Sequence, residues 1–381
     1  MDRLSNNPDY ELLEEDIGTE DEAVYVASQW RLIWWKFRRH RLAVASGIVL
    51  LIIYTLAIFC EFISPYDPTA RNVMLTHAPP QRLRFVDSEG NFSLRPFVYG
   101  YKREIDPNTL RRTYSIDTSQ KYPIYFLHRG TPYKFWGVWE TDLHLFGVQD
   151  GYVHLLGTDR LGRDMLSRIL YGARISTSIG LVGVALSFVL GVIIGGFSGY
   201  FGGWFDSIVQ RLIEILRSIP TIPLWMGLSA ALPPHWPQVR VYFGITIILS
   251  LIGWTQLARV VRSRFLSLRD EDFVTAARLC GASRFRIVVR HMVPSFLSYI
   301  IASITLAIPS MILGETSLSF LGLGLQAPAI SWGVLLQEAQ NVRTIALSPW
   351  LLLPGVMVFI TVLAFNFFGD GLRDAADPYA R

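Results

Sequence analysis

Cysteine and lysine are both scarce: two and four of them in 381 residues. Each scarcity excludes a chemistry. The lysines are Lys36, Lys102, Lys121 and Lys134, and none follows a glycine. A phosphate-cradling P-loop ends in GK[ST], so the chain cannot bind ATP in that way. The seven histidines fall into no HExxH or CxxC-type spacing, which argues against zinc; His144 and His154 read as ordinary surface or core residues. No GxSxG nucleophile elbow occurs. Cys60 and Cys280 are expected near opposite membrane faces, which argues against a disulfide between them.

What the chain has in abundance is apolar length. It is 51% hydrophobic with a mean hydropathy of +0.33, the composition of a polytopic membrane protein. A spanning helix needs about 20 mostly apolar residues. Six stretches qualify: residues 42–63, 177–200, 205–232, 239–261, 296–318 and 349–368. The first is too long for a signal-peptide core and lacks a small-residue cleavage site after it. Arg31, Lys36, Arg38, Arg39 and Arg41 precede the first span, and Arg259, Arg262, Arg264, Arg269, Arg278, Arg284, Arg286 and Arg290 follow the fourth. Lys/Arg bias puts both clusters in the cytoplasm, and an even number of spans puts both termini there. Arg160, Arg163, Arg168 and Arg174, just before the second span, run against this bias. The pI near 9.0 fits arginine beside anionic membrane lipids; no nucleic-acid motif accompanies it.

Along the chain, residues 1–28 read as a cytoplasmic tail, acidic through Glu11, Glu14, Glu15, Asp16, Glu20, Asp21 and Glu22. Residues 29–41 place Trp30, Ile33, Trp34 and Phe37 at helical spacing among basic residues, a helix lying in the headgroup region. Residues 64–156 are too long for a connector and alternate short aromatic runs with the turn signals DSEGN (87–91), HRGTP (128–132) and QDG (149–151). They read as a small β-rich insertion outside the membrane. It could line a vestibule, receive a partner, or only stiffen the first span. Residues 157–381 form the helical core, where Gly183, Gly191, Gly195 and Gly196 permit close helix approach. The third stretch carries Asp206, Arg211, Glu214 and Arg217 before Pro220 and Pro223. A charge at the helix centre costs about 2.5–3.5 kcal/mol on insertion scales. These side chains therefore face a polar path between helices, or the stretch is an amphipathic cytoplasmic one, and Pro220 and Pro223 support a helix that changes direction there.

The polar loop 262–295 is the most informative segment. Phe273, Ala276, Ala277 and Cys280 recur at i, i+3, i+4 and i+7, one face of a short helix. Asp270, Glu271 and Asp272 stand at its start, where carboxylates suit the helix dipole. Small Ala276 and Ala277 allow a partner to approach, Gly281 permits a sharp exit, and Phe285, Ile287 and Val288 open a second helix that Pro294 stops. Without a partner this is only an amphipathic surface helix.

Four segments together resemble the dipeptide/oligopeptide (OppC/DppC-like) permease family of ABC importers. They are LLGTDRLGRDMLSRILYGARIS (155–176), FVTAARLCGASRFRIVVRHMVP (273–294), ETSLSFLGLGLQAPAISWG (315–333) and GDGLRDAADP (369–378). Segment 273–294 resembles that family's EAA loop, with Thr275 where the acidic residue would stand. The resemblance implies an all-α polytopic membrane protein, with six transmembrane helices in the type I importer permease fold. It implies a bacterial inner-membrane location and a heterodimer with a sister permease. Two cytoplasmic ATPases would carry ATP and Mg2+, and an extracytoplasmic solute-binding protein would deliver the solute; this chain would bind no cofactor and catalyse nothing. The ATPase would be gripped through Asp272, Phe273, Ala276, Ala277, Arg278, Gly281, Ala282 and Pro294, with Arg278 and Arg284 meeting its acidic groups. Gly157, Thr158, Asp159, Gly162, Arg163 and Asp164 would be either a shoulder for a partner or a capped interfacial helix start. Arg211, Glu214, Arg217, Glu315, Ser317 and Ser319 would face the path or the sister subunit.

Peptides are the implied cargo, with oligosaccharides or opines as alternatives in the same class. Two other classes stay open. One is a membrane-anchored enzyme using carboxylates among Asp87, Glu89, Glu104, Asp106, Glu140 and Asp142. The other is a receptor that docks through the same loop without transport.

Overall fold

The computed structural model describes residues 29–105, 107, 112–233 and 235–376. The acidic tail, Asp106 and Pro378 lie outside these. Among the described residues five helices are long and apolar enough to cross a membrane: Arg41–Ile58, Met165–Phe201, Gln238–Leu268, Tyr299–Phe320 and Pro349–Ala376. Most outrun the apolar stretch that marks them. The second begins twelve residues early because Asp164 caps it there, its carboxylate accepting from the Ser167 amide at 2.7 Å.

The basic, aromatic stretch forms α1 (Gln29–Arg39). It turns into α2 (Arg41–Ile58) at His40, whose Nδ1 accepts from the Ala43 amide at 3.1 Å. Phe37 is buried edge-on against Phe368, ring centroids 5.4 Å apart. A short turn, α3 (Cys60–Ile63), leads to the insertion.

The insertion is a four-stranded antiparallel sheet in chain order: β1 (Arg84–Val86), β2 (Phe92–Ile105), β3 (Arg112–Phe135) and β4 (Trp139–Val148). The first half of β3 pairs with β2, the second with β4, so one strand carries two ribbons. DSEGN turns as expected: the Asp87 carboxylate accepts from the Glu89 and Asn91 amides at 3.0 and 2.9 Å. HRGTP does not turn; it lies inside β3 as an irregularity between Arg129 and Tyr133. The turn falls instead at Trp136 and Gly137, both at positive φ, the backbone of a type I′ hairpin. Val98, Ile124 and Val153 form the small core.

In the helical core α4 (Met165–Phe201) and α7 (Gln238–Leu268) run side by side in the same direction. Tyr242 donates to Ser178 at 3.0 Å, and Ser250 donates to the Gly183 carbonyl at 3.0 Å. A Cβ on Gly195 or Gly199 would meet the Ala258 or Arg262 backbone at 2.4 and 2.6 Å, so glycine sets this contact. Two parallel neighbours need a return stretch between them. It consists of α5 (Gly203–Ser218) and α6 (Thr221–Ala230), divided at Ile219–Pro220, within the predicted 205–232 stretch and at the break its prolines mark. Proline lacks an amide hydrogen and clashes with the preceding turn, which accounts for the division. The pair descends antiparallel along α7: Asp206 meets Arg262, Arg217 meets Gln256, Trp225 packs in the Leu249 cluster and Leu232 lies against Gly244. From Arg262 to Gly244 is about 27 Å of helix at 1.5 Å per residue, close to a bilayer's hydrocarbon thickness.

After α7 come α8 (Asp272–Leu279), a helical stretch over 284–295, α9 (Leu297–Phe320), α10 (Trp332–Gln337), α11 (Val342–Leu347) and α12 (Leu353–Ala376). The sheet lies at one end of the bundle and α8 at the other.

Candidate functional site

At the α8 end the chain builds a small rigid hairpin. Asp272 occupies the first turn of α8 and Arg278 the last, matching the dipole. The helix ends in a Schellman motif: Ala282 N–H to Ala277 C=O at 3.1 Å and Gly281 N–H to Arg278 C=O at 3.0 Å. Gly281 takes the left-handed position, φ +77°, and a Cβ there would meet nothing within 4 Å. Ser283 then caps the next helical stretch, accepting from the Arg286 amide at 3.3 Å. Residues Ile287–Met292 widen into a π turn, bringing Ile287, Val288 and Met292 into one buried cluster with Val274, Val261, Phe265 and Phe296.

Packing divides the predicted coupling residues. Val274 is the side chain of α8 that is wholly buried, while Ala277 and Ala282 pack partly against the same cluster. Asp272, Phe273, Ala276, Arg278, Gly281 and Pro294 are not buried, and Phe273 is exposed. Leu279 (83% exposed) and Phe285 (62%) stand out furthest; periodicity alone did not single out Leu279. Pro294 lies within the last helical turn, and the break falls at Phe296. Arg278 and Arg284 lie over the Tyr200 and Phe201 rings at 5.9 and 5.2 Å.

At the sheet end the residues 157–164 turn inward. Thr158, Asp159 and Asp164 are buried. Asp159 accepts from the Leu161 and Arg163 amides at 2.8 and 3.0 Å, from Arg163 Nε at 2.6 Å, and from Arg168. Arg163 reaches on to Glu338 at 2.8 Å, and Arg160 lies 3.9 Å from the same carboxylate. Thr158 Oγ accepts from the Ala78 amide at 2.8 Å and donates to the Leu75 carbonyl. Trp350 donates to the Thr158 carbonyl at 2.9 Å. Asp164 caps α4 and also meets His154 Nδ1 at 2.9 Å. The motif thereby ties residues 72–78, the start of α4 and residues 338–350 together. Of the two sequence readings, the capped helix start is what these buried contacts build. Burial pushes the Glu338 carboxyl above its usual range, Asp159 adding to the rise, while Arg168, Arg163 and Arg160 oppose it. His77, whose amide donates to the Asp159 carbonyl, is held below the ordinary imidazole range, first by burial.

The remaining predicted residues separate. Glu315 is fully buried inside this chain, accepting from Ser176 at 3.0 Å and Ser319 at 2.8 Å. Those hydroxyls in turn accept the Trp332 and Leu325 amides at 3.1 and 3.0 Å. Glu315 thus pins the loop after α9 to α4 and does not face lipid or a neighbouring chain. Ser317 is half-buried and takes no part. Arg211 and Glu214 pair with each other at 2.9 Å on the exposed face of α5, while Val209 and Ile213 pack on Trp254 and Ala258. That face is uncovered in the single chain, and Arg217 bonds Gln256. Near mid-bundle a cleft of about 440 Å³ opens between α4, α7 and α9, lined by Ser187, Gln256, Tyr299, Ser303 and Ser310 among apolar neighbours. Sequence reasoning missed Ser176, Trp332, Arg168 and Glu338 as partners, and also the ion pair of Arg174 with Glu61. Apart from Arg168, nine residues from Asp159, these lie up to 175 residues from their partners, which leaves no local signal. Glu104 and Glu140 pair with Lys102 and Lys134 at 3.8 and 3.1 Å on different ribbons, and so do not form one carboxylate site.

Residues 188–381 match the family described as binding-protein-dependent transport system inner membrane component. Residues 28–80 match the N-terminal TM domain of oligopeptide transport permease C. A putative peptide transport system permease protein of Brucella suis is 41% identical over 230 residues, 60% of this chain and 74% of that one. The oligopeptide transport system permease protein OppC of Haemophilus influenzae is 42% identical over 246 residues, 64% and 76% of the two chains. The dipeptide transport system permease protein DppC of Bacillus subtilis is 40% identical over 230 residues, 60% and 69%. The chain belongs to the binding-protein-dependent transport family of inner-membrane components, as a permease subunit of an ABC importer.

Proposed function

We propose that the chain is one of two permease subunits of an ATP-driven importer of peptides, crossing the inner membrane six times with both termini in the cytoplasm. The third crossing is the α5–α6 pair, which runs antiparallel to α7 between Arg262 and Gly244, with the exposed Arg211 and Glu214 turned to the path or the sister subunit. The sheet then lies outside, where a solute-binding protein docks, and the α8 end lies inside against the ATPases. The peptide class rests on what the three relatives transport by name. The cleft between α4, α7 and α9 carries hydroxyl and amide groups without a charged side chain, a lining that suits backbone amides of varied sequence.

One observation carries the mechanical reading. The α8 hairpin is welded to the ends of α7 and α9 through Val274, Val288 and Phe296, yet leaves Phe273, Leu279 and Phe285 uncovered. A partner that grips those side chains and closes on ATP binding would drag α7 and α9 with it, and access to the cleft would alternate. Gly281→Trp tests this. The left-handed backbone costs a non-glycine residue about 1–2 kcal/mol, and nothing in this chain occupies the space a side chain would enter. The variant should insert normally and lose uptake of a radiolabelled peptide in vesicles holding the whole assembly, while Gly281→Asn retains it. Normal uptake with Trp would remove the docking role.

A further inference from the structure

The β3–β4 hairpin ends in five uncharged residues, Phe135–Trp139, immediately past the Lys134–Glu140 ion pair. Its tip exposes Trp136 (53%), Val138 (69%) and Trp139 (68%). A bulky apolar tip on a water-facing ribbon would be an aggregation liability. This one is not directed away from the helices. Trp136 Nε1 donates to the Ile58 carbonyl at 3.2 Å, and its ring lies 4.8 Å from the Arg174 guanidinium. Phe135 stacks on Phe59 with centroids 6.0 Å apart. Ile58 is the last residue of α2, and about 26 Å of helix separates it from Arg41. If α2 crosses the bilayer, Ile58 stands at the boundary where the hydrocarbon ends.

We propose that the hairpin tip is a membrane anchor: Trp136, Val138 and Trp139 enter the headgroup–acyl boundary of the leaflet on the sheet side. The bound chemistry is phospholipid, for three reasons. The tip continues the surface of α2 on which Ile48, Leu51 and Ile52 are exposed along a candidate span. Tryptophan concentrates at this depth because its ring is apolar and its N–H polar. The ion pair one step up the ribbon, together with Arg174 over the Trp136 ring, supplies the polar collar such a segment needs. The long insertion is thereby fixed at two points, through the 157–164 motif on one side and through lipid on the other. The inference rests on α2 as a membrane crossing and on no other part of the transport reading.

The test is spin-label depth measurement on the full chain, in the complex with which it purifies, reconstituted into phosphatidylethanolamine/phosphatidylglycerol vesicles. Cys280→Ala removes the exposed thiol, and Cys60 is buried. Single labels go on Val138→Cys, on Leu94→Cys, which is exposed on β2, and on Leu51→Cys in α2. The Val138 label should show a several-fold higher ratio of oxygen to nickel-chelate accessibility than the Leu94 label, and should be broadened by lipids spin-labelled near the headgroup. A Val138 ratio equal to that of Leu94 would place the tip in water and overturn the anchor. Low accessibility to both reagents without lipid broadening would place it against protein and overturn it equally. The Leu51 label separates the two levels: if it reads as lipid-exposed while Val138 does not, the anchor fails and the crossing stands; if Leu51 is not lipid-exposed, both fail.

Discussion

The two ends of the bundle carry motifs of similar ingredients and opposite economy. Each offers a left-handed glycine, an aspartate at a helix start and arginines close by. At the sheet end, every carboxylate oxygen of Asp159 and Asp164 is taken by a partner in the same chain. At the α8 end, Asp272 and Phe273 are exposed and the Leu279 and Phe285 side chains touch little of their own chain. Residue types alone do not tell a latch from a docking surface. What separates them is whether the long-range neighbours that would consume the polar groups exist, and those neighbours are set by tertiary packing.

The sharpest way to break this contrast is to remove the centre of the latch. Asp159→Ala leaves Arg168, which is buried, without its nearest counter-charge. Breaking a buried pair costs about 3–5 kcal/mol when the remaining charge is left alone; Glu338, 3.5 Å from Arg168, offsets part of that, so the purified variant should melt below the parent and accumulate less in membranes. A parent-like melting curve would show that the cluster is held by something other than this carboxylate. Next in size is a matched glycine pair. Gly162 sits at φ +73°, and an added Cβ would fall 1.9 Å from the Asn72 carbonyl oxygen. Gly162→Ala must therefore displace backbone beyond the conformational cost that Gly281→Ala bears alone, about 1–2 kcal/mol. Equal losses in the two variants would erase the distinction between a closed and an open left-handed site.

Much of this was legible in the residues themselves, for reasons particular to each element. Residues 349–368 and 296–318 read as spans because an apolar run of that length has one economical use in a bilayer. Gly281 read as a sharp exit because the residues before it keep a helical period and those after it start another. The break in the return stretch was legible in Pro220 and Pro223, but the two prolines mark it without saying on which side of it the helix resumes. Glu315 was misplaced because its partners Ser176 and Ser319 are respectively 139 residues away and one helical turn away. A serine on a helix gives no sign that it faces inward. HRGTP misled because Gly and Pro also mark bulges within long strands, whereas Trp136 carries no turn propensity at all.

On the docking side the effect on stability should be small while the effect on activity is large. Leu279→Ser combined with Phe285→Ser removes two exposed apolar side chains, and such surface changes stay within about 0.5 kcal/mol. The melting curve should be unchanged and peptide uptake in the reconstituted assembly strongly reduced. A destabilised variant would mean that α8 is held by these side chains and is part of the core; an active one would mean that the partner grips elsewhere.

The smallest effect is expected from pH, and only at the latch. His77 Nδ1 lies 3.3 Å from the Ser348 hydroxyl, and its ring sees the charges of Asp159, Arg112 and Arg160. Burial, the largest cause, disfavours the imidazolium; Arg112 and Arg160 add to that, and Asp159 opposes it. The folded value therefore lies below the ordinary 6.5. Since the unfolded chain takes up the proton first, His77 contributes stability that is complete above pH 6.5 and is lost as pH falls through the depressed folded value. Acid in that window should therefore loosen the latch. Melting temperature measured below pH 6.5 should fall less steeply for His77→Gln than for the parent, and superimposable profiles would mean that some other group sets the acid limit of the sheet end.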